Sequence, residues 1–173
     1  PEPRATIVSS HRVEITPREG RMRSHELTVG RTFGVAFDHG EDFFPTLTEF
    51  CRTNRIRQGY IPMFLAGFAE ASIVGTCDQV DNPEAPLWSK VHLTNLEALG
   101  CGTLAYDPDQ NEILPHIHVA VGEKQRSATG HTSHLLSGRV QFLVEMLIVE
   151  VTSPTMIRTR DPELYNVPLL AFS

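Results

Sequence analysis

What the chain lacks narrows the field first. No apolar run approaches the ~18 residues that a membrane-spanning helix needs. The N-terminal stretch "PEPRATIVSSHRVEI" has no continuous hydrophobic region of the signal-peptide kind, which predicts a cytoplasmic protein. Cysteine is scarce: Cys51, Cys77 and Cys101 are far apart, odd in number and without a CxxC pair. A disulfide framework and a paired-cysteine zinc or redox site are therefore excluded, and the three thiols are expected to be small buried hydrophobes. GxGxxG and GxxxxGK[ST] are missing, which argues against the dinucleotide and P-loop folds. GxSxG and HExxH are missing too, which removes the nucleophile elbow and the zincin helix. Positive charge is also short: 15 Lys and Arg stand against 21 Asp and Glu, a net charge of −6. Residues 1–31 carry six arginines against four acids, a balance of +2; the remaining nine basic residues face seventeen acids, a balance of −8. An acidic body is a poor non-specific binder of nucleic acid.

What is present is a globular composition, with 40% hydrophobic and 21% charged residues, in a 173-residue chain long enough for one domain with a substantial core. Residues 1–27, rich in Arg, Ser and Pro, read as an N-terminal arm or extra edge strand; residues 28–173 read as the domain. From Val29 to Asp38, Phe33, Val35 and Phe37 alternate with small or polar residues, the period of a half-buried strand. Phe43, Phe44, Leu47, Phe50 and Cys51 then recur at helical spacing, with Pro45 suited to a first turn and Gly59 as terminator. Further strands are predicted at 60–66, 69–76, 90–97, 101–106, 113–121, 140–151 and 155–160, with bends at Gly67 and Gly75 and a proline-bearing loop at 78–89. One principal helix, many strands and hairpin-length connections predict an α+β fold with a mainly antiparallel sheet.

The chemistry concentrates in "LPHIHVAVGEKQRSATGHTSH", residues 114–134, which hold four of the eight histidines. On a strand, His116 and His118 share a face at about 6.5–7 Å, while Ile117, Val119 and Val121 line the other. Two imidazoles at that spacing can converge on one metal ion. His131, directly after Gly130, is the natural third ligand, because glycine permits close approach to a neighbouring strand. Three histidines with a fourth position open are the pattern of a catalytic or ligand-binding zinc site. His134 reads as an outsider and His92 as a surface residue. HxH on a strand also arises by chance, and a hydrogen-bonded polar pocket without an ion is the plain alternative. Glu112, Glu123 and Glu145 are the carboxylates in range, with nothing to choose among them. The catalytic residues of such a site stay unknown.

The order of these features resembles the PPC domain, the plant and prokaryote conserved domain that joins AT-hooks in plant DNA-binding proteins. The resemblance rests on "FDHGEDFFPTLTEFCRTNRIRQGYI", "HLTNLEALGCGTLAYD", the HxH…GH…G block of "LPHIHVAVGEKQRSATGHTSHLLSGRVQFLVEMLIVEV" and the closing "MIRTRDPELYNVPLL", over about residues 28–172. Thr129-Gly130-His131 stands where the family has Gly-Gly-His, and the chain has no RGRP hook. The resemblance implies an antiparallel sheet with a helix packed on it, a homotrimer, and a divalent metal ion, zinc first, on His116, His118 and His131. DNA binding travels mainly with the hook that is missing here.

Two functions of different class follow. One is a trimeric binding or regulatory module with a three-histidine metal site, DNA being a partner by family analogy alone. The other is a metal-dependent hydrolase or lyase acting on a small anionic molecule, with Arg158 or Arg160 holding the anion by a bidentate contact. A surface strand charge is the ordinary reading of those two arginines.

Overall fold

The computed structural model describes residues 22–76 and 88–173. Cys77 and nearly all of the expected 78–89 loop lie outside the described residues, as does the arm up to residue 21. Within them the chain runs β1 (Thr28–Asp38), α1 (Phe43–Thr53), β2 (Gly59–Val74), β3 (Lys90–Asp107), β4 (Glu112–Glu123), β5 (Arg126–Ser153), β6 (Met156–Thr159), a short 3₁₀ turn (Pro162–Leu164) and β7 (Leu169–Phe172).

The helix forms where apolar spacing predicts it. Phe43, Leu47 and Cys51, four apart, form one fully buried stripe, and Pro45 sits in the first turn, where its missing N–H costs nothing. Burial also pushes the Cys51 thiol up to about 12. The helix ends earlier than Gly59: Asn54 caps it and Arg55 turns left-handed (φ 56°). Gly59 instead opens β2.

Pairing is antiparallel throughout except for a single parallel step from β3 to β6. The order is β1-β5-β2-β3-β6-β7, and β4 pairs with both β3 and β5. β2, β3, β4 and β5 thus close on one another as a barrel, with β1 extending one side and β6–β7 the other. α1 packs against β4 and β5. Phe64, Phe68, Ile117, Val119, Val121, Val144 and Ile148 join its apolar stripe in the main core. Each such side chain contributes roughly 1.5–3 kcal/mol by leaving water, which is what commits the alternating strands to one face.

Three expectations for the strands need correction. The pairs 60–66/69–76 and 90–97/101–106 are single strands, β2 and β3. Gly67 does not break β2; a Cβ there would stand 2.3 Å from the Gln141 carbonyl oxygen, so glycine lets β5 come close. The third is β5, which starts at Arg126 rather than residue 140. Its first half is polar but lies between β4 and β2, whose backbones pair with it.

Side chains that alternate away from the core form an outer face. Met63, Leu65, Leu99 and Leu143 are exposed there. Leu65 faces Leu99 across β2 and β3, and Leu99 faces Ala120 across β3 and β4.

Candidate metal centre

β4 builds the site by alternation. Ile117 and Val119 are buried in the core, so His116 and His118 point to the outer face. Their Nε2 atoms are 3.1 Å apart and their rings 5.0 Å between centroids. The third histidine comes from β5, and it is His134. The register sets His134 directly opposite His118. Its ring centroid lies 4.9 Å from that of His116 and 5.5 Å from that of His118. One ring nitrogen from each of the three falls within 4.8 Å of the others, and all three belong to one chain.

His131 is not in this group. Three residues from His134, an odd number, it sits on the other side of the pleat, opposite core-facing Val121. Its Nε2 is 3.8 Å from a Glu123 carboxylate oxygen instead. Nor is Gly130 demanded by crowding, since a Cβ there would meet the Val121 oxygen at an ordinary 3.5 Å. His92 is near Glu70 and Ser72, on β2 and β3. The candidate carboxylates do not join the cluster, whose members are imidazoles only. Glu123 is beside His131; Glu112 begins β4 opposite Asp107; Glu145 faces Ala36 and Leu65. Cys101 is exposed, not buried as expected, and stands opposite His118.

The two arginines divide. The Arg160 guanidinium takes the buried Asp107 carboxylate in both arms (2.6 and 3.0 Å) and reaches Asp109 at 2.8 Å. It holds Asp107 below the usual carboxylate range and, with both acids in its grip, braces the end of β3 against β6. Arg158 is 1% exposed. Its Nε donates to the Leu114 carbonyl (3.2 Å); its Nη2 donates to the Thr103 carbonyl (3.2 Å) and hydroxyl (2.9 Å). Thr103 is the cross-strand partner of His116, so Arg158 is bonded to the cluster's immediate neighbour on β3.

Burial, then the charges of His134, Arg158 and His118, push His116 down to about 4. His134 is lowered by burial, His118 and Arg158. Both imidazoles are thus neutral at pH 7, the form that donates a nitrogen lone pair to a metal. Two nitrogens on one tetrahedral zinc, each at about 2.0–2.1 Å, are about 3.3 Å apart; the 3.1 Å between His116 and His118 fits that. Two surface clefts, of about 470 and 270 Å³, lie elsewhere, and none of the three histidines lines either.

Known proteins resemble the chain in fold. A metal-containing protein from Archaeoglobus fulgidus superposes with a TM-score of 0.71 at 22% identity, covering 87% of this chain and 99% of that one. A plant- and prokaryote-conserved protein from Pyrococcus horikoshii gives 0.71 at 20% identity, with 87% and 97% covered. A candidate DNA-binding protein from Ralstonia eutropha JMP134 gives 0.65 at 18%, with 81% and 90% covered. No curated protein sequence matches. The profile of the Plants and Prokaryotes Conserved (PCC) domain matches residues 24–152. With that match over most of its length, and with the antiparallel barrel and single helix just described, the chain belongs to the plants and prokaryotes conserved domain family.

Proposed function

We propose that the chain is a binding or regulatory module built around one divalent metal ion, zinc first, held by His116, His118 and His134. The observation that carries this reading is the convergence of three ring nitrogens within 4.8 Å on an exposed face. The metal-containing relative from Archaeoglobus fulgidus supports it by analogy of fold. A His₃ ion has an open fourth position and, when bound, supplies a Lewis acid and an acidified water. The protein's own part is to present neutral imidazoles from two paired strands and to keep Arg158 beside them.

The working unit is a homo-oligomer, a trimer on the family pattern. Met63, Leu65, Leu99 and Leu143 support this reading, because apolar side chains grouped on one face favour a partner of the same kind. DNA is the weaker partner. The name of the structural relative from Ralstonia eutropha JMP134 speaks for it; the net charge of −6 speaks against it.

A second reading, a metal-dependent hydrolase or lyase acting on a small anionic molecule, is favoured by Arg158 and its place at the cluster. Arg160, bound to two carboxylates, does not serve it.

Elemental analysis of untagged protein tests the metal. About one ion per chain, lost in His116→Ala/His118→Ala, is the expected result; no metal after reconstitution contradicts it. DNA retention that falls steeply with salt would support the DNA part, and none at low salt would end it.

A further inference from the structure

Arg158 has one polar atom left over. Its Nε and Nη2 are engaged, but Nη1 is buried and has no hydrogen-bond partner, alone among the buried side-chain nitrogens and oxygens of the described residues. A desolvated charged donor without an acceptor is costly, and such an atom in a folded protein calls for a physical explanation. Position supplies one. The Thr103 hydroxyl on Nη2 lies on the histidine face, because Thr103 and His116 are directly paired. Leu114, whose carbonyl receives Nε, is two residues from His116. The nearest counter-charge is spoken for, since both Asp107 oxygens are bound by Arg160. With a divalent ion bound, the guanidinium would leave the site strongly positive, and no carboxylate belongs to the cluster.

We propose that Arg158 and the three-histidine centre together form a two-point anion site, which takes a small free carboxylate with one oxygen on the metal and another on Arg158 Nη1. This rests on the metal reading above. A guanidinium fork matches the two oxygens of a carboxylate, which a lone ammonium does not. Two of the three existing bonds, at 3.2 Å, are at the long end of the N–H···O range, so the fork is held loosely enough to close on a ligand. The ligand is a small one, since neither sizeable cleft includes the site.

Cobalt(II)-loaded protein titrated with acetate tests this, with neutral acetamide as the control probe. Visible absorption reports the coordination of the ion, and metal content is measured on the same samples. Acetate is expected to change the spectrum saturably and acetamide to leave it unchanged. Arg158→Gln is expected to keep its cobalt and bind acetate about 10- to 100-fold more weakly, the loss of one charge-assisted hydrogen bond. Arg158→Lys, which retains the charge and loses the fork, is expected to fall between, and it carries the test if the Gln variant does not fold. Acetate binding unchanged in both variants would overturn the proposal while leaving the metal site standing. So would a loaded wild type indifferent to acetate. If in that case Arg158→Gln also lowered the oligomer's mass, the acceptor would be a carboxylate of a neighbouring copy and not a free ligand. Failure to bind cobalt at all would overturn the metal reading and this one with it.

Discussion

His131 and His134 differ by three positions, and that odd number decides which of them can reach His116 and His118. The HxH pair is legible in sequence because strand alternation is a local rule: Ile117 and Val119 go in, so the histidines go out. The third histidine of the cluster is not local. It depends on the register between β4 and β5, and a shift between Gly122 and Glu123 sets that register where the sequence gives no sign. His131→Ala is therefore expected to keep its metal, while His134→Ala loses it at least 10-fold in affinity, on the order of 1.4 kcal/mol or more; isothermal titration with zinc measures both. pH follows from the same residues. His116 protonates only near 4 and His134 below its ordinary value, so protons compete with an ion for these two nitrogens only below pH 6.5. Metal retention is expected to fall as pH drops from 6.5 toward 4. The unfolded chain takes up its proton at the ordinary 6.5, so apo stability also falls as pH drops between 6.5 and about 4.

At the scale of elements, glycines mislead a sequence reading of the barrel. Gly67 suggests a break, yet it lies inside a long strand, as Gly100 does. A Cβ on Gly100 would fall 2.2 Å from the Phe64 ring and 2.7 Å from the His118 carbonyl oxygen. Gly100→Ala is expected to cost about 1–3 kcal/mol by overpacking and to weaken metal binding by moving His118; urea denaturation and the zinc titration together check it. The polar first half of β5 carries no strand signal of its own, for a related reason. Its strand character comes from the backbones of β2 and β4 on either side, which override weak local propensity. The arginine pair shows the same limit. Arg158 and Arg160 alternate in sequence and look alike, yet the first enters the histidine face and the second is fixed by Asp107 and Asp109. Asp107→Asn takes from Arg160 both its carboxylate contacts on β3 but leaves Asp109, and is expected to lower the urea midpoint without touching the histidine cluster.

Across the whole molecule, the apolar outer face and the three-histidine cluster occupy the same side of the barrel: Leu99–Ala120 is two residues along from Cys101–His118. Assembly and metal binding are thus expected to be coupled. Leu65→Asp/Leu99→Asp should lower the sedimenting mass to that of a monomer, since like charges directly opposite on paired strands also repel. An unchanged mass would place the oligomer contact elsewhere. Binding to the folded state alone stabilises by linkage, about 2.7 kcal/mol for free metal at a hundredfold over its Kd, so a chelator is expected to lower Tm by roughly 5–10 °C. The most direct measurement is the metal content of three purified proteins, wild type, His131→Ala and His134→Ala, after equal exposure to zinc. About one ion per chain in the first two and little in the third is the expected pattern. Loss in His131→Ala with retention in His134→Ala would contradict the site, and so would no metal in any of them.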